Sequence, residues 1–195
     1  MVQYEYKEVD MFEEKLDDVV PVDCLITDDT IENLKELTFS TIDDPEIVSY
    51  IHWQCQKVLE FAQNKNESKE VARALNLETF DIVGTVVGNA RTVDIDYLVQ
   101  QMTATNYAFL VVHNHPSNLH FSRRDIKTFI DSVNITILIV IGNKGSIYIL
   151  EKTRQIQPNE TLSIRKTLVD WKNGVISFDQ VTTQIEEFGI VYREL

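Results

Sequence analysis

The 195-residue chain is 44% hydrophobic with a formal net charge of −13, so it can bury a sizeable core and is poorly suited to holding nucleic acid by neutralising phosphates. Its longest apolar runs stop well short of the roughly 20 residues that a membrane span needs, and no basic-then-apolar leader opens the sequence, which reads as a soluble cytoplasmic protein. Cys24 and Cys55 lie far apart without C-x-x-C or other metal spacing, so both read as buried or half-buried thiols and no oxidising compartment is implied.

Residues 1 to 26 alternate short apolar pieces (Val2, Tyr4, Tyr6; Val19 to Val22) with Asp and Glu, a pattern for an edge strand or for no regular structure. Asp28-Asp29-Thr30 starts a short helix with Ile31, Leu34 and Leu37 on one face. Asp44-Pro45 is an N-cap followed by proline at the first helical position. The helix it opens carries Ile47, Val48, Ile51, Cys55, Val58, Leu59 and Ala62 at three- and four-residue spacing and ends near Asn64 to Asn66. His52, at the edge of that stripe, reads as a packed or surface side chain. Val71 to Leu77 and Ile82 to Val87, joined by a turn at Glu78 to Asp81, form a hairpin. Asp94 or Asp96 caps a helix whose inner face is Leu98, Val99 and Met102.

The stretch richest in chemistry follows. Tyr107 to Val112 reads as a buried strand that continues into His113-Asn114-His115 and stops at Pro116, which has no N–H for the ladder. Residues two apart on a strand share a face, so His113 and His115 converge while Asn114 turns away. Ser122 caps a helix that begins near Arg123, with Ile126, Phe129, Ile130 and Val133 on its inner face, and Asp125 in the first turn can swing back to the histidines. Two His and one Asp leave a fourth tetrahedral position for water, the arrangement of a catalytic zinc. The same residues also suit two plainer roles, a Ser-x-x-Asp capping box and a hydrogen-bonded histidine pair. His120 is the nearest spare ligand. Glu67, Glu70 and Glu78 are the acidic residues that chain order brings toward the metal, and periodicity does not choose among them.

Downstream, Ile135 to Ile141 and Ser146 to Leu150 form a second hairpin over Gly142-Asn-Lys-Gly145, whose glycines supply the positive φ of such turns. Helices and tight hairpins interleave, which predicts an α/β fold with a mixed sheet and flanking helices. Leu162 to Lys172 reads as a helix closed by Asn173-Gly174. Ser177 to Gln180 is a capping box for a second helix that Gly189 ends. The chain thus divides into an acidic N-terminal extension with its leading helix (1–66), a core (67–152) and a C-terminal helical pair (153–195) suited to docking or homo-oligomerisation.

His113-Asn-His-Pro-Ser117 followed by Ser122-x-x-Asp125 resembles the JAMM metal motif of the JAB/MPN superfamily, and the Asn and Pro-Ser are similar to its bacterial RadC-like branch. The resemblance extends to Glu70 through Thr79 and to Gly88-Asn-Ala-Arg91, covering about residues 67 to 152. It implies a cytidine-deaminase-like fold and a zinc metalloprotease, a hydrolase of peptide or isopeptide bonds next to a ubiquitin-like or sulfur-carrier-like tail. It favours Glu70 as general base, in register with Leu77-Glu78-Thr79, and leaves Ser122 to donate to the oxyanion. This chain departs from the family pattern by one residue fewer between His115 and Ser122, by Asn118 where the family has Gly, and by a helix after Asp125 about two turns shorter. Those departures keep two other readings open: a JAB-fold interaction module with weak or lost turnover, and a RadC-like DNA-repair or mobile-element accessory, which the charge opposes.

Overall fold

The computed structural model describes residues 18–195; Val2, Tyr4 and Tyr6 lie outside the described residues. Helix α1 (Asp28–Glu32) is capped by the Thr27 hydroxyl, which accepts from Thr30 N. Leu34 and Leu37, expected to continue it, lie beyond its end and are nevertheless buried. Helix α2 (Pro45–Lys65) starts where Asp44 accepts from the backbone N–H of Glu46 and Ile47, satisfying donors that the first turn leaves free. Strands β1 (Val71–Asn76) and β2 (Ile82–Val87) form the first hairpin. Helix α3 (Asp96–Thr103) has Ile95 at its cap position, and Asp94 accepts from Asp96 N at 2.9 Å. Strand β3 (Phe109–His115), helix α4 (Arg123–Asp131) and the hairpin of β4 (Ile135–Gly142) and β5 (Ile147–Lys152) follow.

The C-terminal segment holds the two expected helices, α5 (Pro158–Lys172) and α6 (Phe178–Glu186), and then strand β6 (Ile190–Glu194), which the sequence reading missed. Among the described residues, six strands form one mixed sheet in the order β2-β1-β3-β4-β5-β6. Among these strands only β3 and β4 pair parallel, and α4 supplies the crossover that a parallel pair needs. Among the described residues, no helix is long and apolar enough to cross a membrane.

Strand alternation sends successive side chains to opposite faces. Leu110 and Val112 of β3 meet Ile137, Ile139 and Ile141 of β4 under α2, whose Ile51, Cys55, Val58, Leu59 and Ala62 are almost fully buried. On the other face Phe109 and Val111 join Ile126, Phe129 and Ile130 of α4, Ile164 and Leu168 of α5 and Val181 and Ile185 of α6. Each such side chain contributes about 1.5–3 kcal/mol by leaving water. The two flanks of residues 67–152 therefore pack on opposite faces of the same sheet. Val133, expected on the inner face of α4, lies past its end and is 63% exposed.

A buried ion pair fastens the flanks to each other. Glu151 on β5 is fully buried; its carboxylate accepts from Ser40 N, Thr41 N and the Thr41 hydroxyl, and pairs with Arg193 of β6. Arg193 also donates to the Thr38 carbonyl.

Candidate metal centre

His113 and His115 sit at the end of β3, on the face that packs against α3 to α6. Asn114 points the other way and is fully buried. Its Oδ1 accepts from Val71 N (2.7 Å), and its Nδ2 donates to Lys69 O (3.2 Å) and Asn143 Oδ1 (2.8 Å). Asn143 in turn donates to the carbonyls of Cys24 and Ser68. Sequence reasoning did not single out Asn143, because its role is visible only once three distant segments meet.

Asp125 comes from the first turn of α4 as expected, and one carboxylate both caps the helix and faces the histidines. Its Oδ2 accepts from Ser122 N at 2.6 Å while Ser122 Oγ accepts from Asp125 N at 3.2 Å, a reciprocal capping box. The cap aims the carboxylate at the histidines: Oδ1 lies 3.5 Å from His113 Nε2 and Oδ2 lies 3.5 Å from His115 Nε2. The two Nε2 atoms are 3.1 Å apart.

These distances test the zinc expectation. A charge-assisted hydrogen bond would bring carboxylate and imidazole to about 2.7–2.9 Å, so 3.5 Å is long for a pair that simply bonds each other. Ligand bonds near 2.0–2.1 Å at tetrahedral angles separate donors by about 3.3 Å, and the three observed separations bracket that value. His115 Nδ1–H donates to the Leu119 carbonyl at 3.0 Å, which leaves the Nε2 lone pair for a cation. The donor set is therefore chemically suited to zinc.

Electrostatics agree with one shared site. Burial pushes His113 toward the neutral form, outweighing Asp125. At His115 burial is overcome by the adjacent Asp125 carboxylate and by the charge of Glu70, so its pKa rises. Burial disfavours the Asp125 carboxylate, yet the charges and hydrogen bonds of both histidines hold it well below the usual range.

The three glutamates separate cleanly. The β1–β3 pairing sets Ala72 opposite His113, and continuing that antiparallel register places Glu70 opposite His115 on the same face. Glu70 is 5% exposed, and burial, with Asp125 adding to it, pushes its pKa to about 7 against the pull of His115, Val93 N–H and Arg124. Glu67 lies in a positive-φ turn with its side chain 83% exposed beside Lys69. Glu78 is exposed in the β1–β2 turn, at the opposite end of β1.

Glu70, His113, His115, Ser122 and Asp125 line one cavity of about 470 Å³, walled by residues 90–93, Leu119, Arg123, Arg124 and Trp171. Within the connecting loop, Phe121 is 1% exposed and packs in the core, while Leu119 is 62% exposed at the rim. Asn118 takes φ 55°, the left-handed conformation that Gly adopts freely and Asn tolerates. Gly142 was expected to serve the turn through positive φ. Among the turn's glycines only Gly145 does so, at φ 94°; Gly142 instead makes room, since a Cβ there would lie 1.9 Å from Asn118 Oδ1. His120 is not one of the converging donors, and stacks on Phe178. His52 lies on α2, across the sheet from the pair.

No protein-family model matches the chain, and no curated protein or solved structure does. The functional reading therefore rests on these residues.

Proposed function

We propose that the chain is a zinc-dependent hydrolase of peptide or isopeptide bonds, of the JAMM type within the JAB/MPN superfamily. The supporting observation is the convergence of His113, His115 and Asp125 on a cavity that also receives the buried carboxylate of Glu70. A zinc ion held by the three donors would supply a Lewis acid that acidifies water and polarises the scissile carbonyl.

The chain's own residues supply the rest. Glu70 takes the proton of the attacking water at its carboxylate and hands it to the departing amine. A pKa near 7 suits both transfers, and a nearby dication would draw that value down. Ser122 Oγ acts as acceptor in the cap, so its own proton is free to stabilise charge growing on the carbonyl oxygen. The Leu119 carbonyl orients His115, and the capping N–H of Ser122 orients Asp125. Phe121 is buried and forms part of the cavity wall. An extended polypeptide with a ubiquitin-like or sulfur-carrier-like tail is the proposed substrate class.

The test pairs metal content with turnover. Glu70→Gln should keep the wild-type zinc stoichiometry and lose about 10²–10⁴-fold in hydrolysis of any peptide or isopeptide substrate found. Loss of zinc in that variant would make Glu70 a ligand, and full activity would remove it from the chemistry.

A further inference from the structure

The loop between β3 and α4 is gripped at three positions, Asn118, His120 and Phe121. Asn118 donates from Nδ2 to Ser146 Oγ (3.0 Å) and accepts at Oδ1 from Lys144 N (3.0 Å), tying it to the β4–β5 turn. His120 stacks on Phe178 with ring centroids 3.5 Å apart and planes 6° from parallel. Trp171 flanks both rings, at 6.0 Å from His120 and 5.3 Å from Phe178. Phe121 meets Tyr192 of β6 edge-on at 6.5 Å, and Tyr192 meets Phe178 at 5.3 Å. Between these anchors sits Leu119, whose side chain is largely exposed at the cavity rim and whose carbonyl accepts from His115 Nδ1.

The neighbours of Leu119 therefore set the position of that carbonyl, and two of the three grips come from α5, α6 and β6. We infer that the C-terminal segment is a positioning element for the metal centre: Phe178 and Trp171, acting through His120, hold the Leu119 carbonyl where it fixes the orientation and Nδ1–H tautomer of His115. The inference rests on the reading of His113, His115 and Asp125 as ligands. Partners that orient a metal-bound imidazole this way typically change metal affinity by about 10–100-fold when lost. Ring pairs of this kind add attraction beyond the burial of their surface, which restrains the loop that carries His120.

The experiment is a chelator-competition titration with Zn²⁺ on the full chain, alongside the ring ¹⁵N shifts of His115 in metal-free protein at pH 8. Phe178→Ala should weaken zinc binding about 10-fold and blur the Nδ1–H signature, and Phe178→Tyr, which keeps the ring, should restore both. Ile185→Ala removes core volume from the same helix without removing a ring from the stack; it should lower Tm and leave zinc affinity within about twofold. Unchanged affinity and tautomer in folded Phe178→Ala would overturn the inference, as would an equal loss in Ile185→Ala. If Phe178→Ala does not fold, His120→Ala gives the same comparison from the loop side. Should the wild type take up no zinc, the reading of the ligands falls, and the His115 ring shifts alone decide whether Phe178 positions that side chain.

Discussion

Replacing Glu70 by Gln should make the metal-free protein more stable, in a way that depends on pH. The carboxylate is buried beside Asp125, and its pKa stands at about 7 against an ordinary value of 4.5. Between those two values the folded protein keeps a proton that the unfolded chain releases, so stability falls as pH rises across the window. At roughly 1.4 kcal/mol per pH unit the cost reaches at most about 3 kcal/mol above pH 7. Gln copies the shape of the protonated acid and carries no charge to desolvate. Thermal unfolding in the presence of chelator should therefore show Glu70→Gln up to about 6–12 °C above wild type at pH 8, at roughly 2–4 °C per kcal/mol for a chain of this size. At pH 4 the two proteins should melt together. Equal Tm at pH 8, or the same gain at both pH values, would refute the claim that Glu70 is held in a site that penalises its charge. A stabilising substitution that abolishes turnover is the mark of a residue kept for chemistry.

Other outcomes follow from the same geometry. His115→Ala should lose most bound zinc by elemental analysis with far-UV circular dichroism unchanged, because the strand does not depend on the imidazole. Lys152, whose Nζ donates to the carbonyls of Phe129 and Ser132, is pushed by burial down to about 7. The unfolded chain keeps that proton up to its ordinary value of 10.5, so metal-free stability should rise from pH 7 toward 10, and Lys152→Met should flatten the slope in denaturant titrations. Gly142→Ala should cost roughly 1–3 kcal/mol and weaken zinc binding, since its Cβ would displace Asn118. Single-stranded DNA should show no salt-dependent binding by fluorescence anisotropy, because a net charge of −13 opposes phosphate neutralisation.

Local rules made much of this protein readable. The His-x-His strand, the Ser122 cap, the Asp44-Pro45 helix start and both hairpins follow from side-chain period and capping chemistry, which act over a few residues. Periodicity leaves Glu67, Glu70 and Glu78 open and only the family resemblance favours Glu70; the physical ground for it is the β1–β3 register, a relation between segments about 40 residues apart. Strand β6 escaped notice because its five residues, mostly half-exposed, follow directly on Gly189; the edge of β5 makes them a strand, not their own pattern. Likewise His120 reads as a spare ligand until Phe178 is known to lie on its ring.

The Glu151–Arg193 pair bears on how small a working fragment of this protein can be. Residues 67–152 hold the three donors and Glu70, yet a chain cut to that span would leave Glu151 buried without Arg193 and without the N–H groups of Ser40 and Thr41. Stranding one member of a buried pair costs about 3–5 kcal/mol, a large share of the total stability of a typical domain. The same cut uncovers the apolar undersides of the sheet on both sides. The motif-bearing stretch is therefore not an autonomous folding unit, and grafting it onto another scaffold would have to bring along both a substitute for the strand that follows Gly189 and the connector before Asp44.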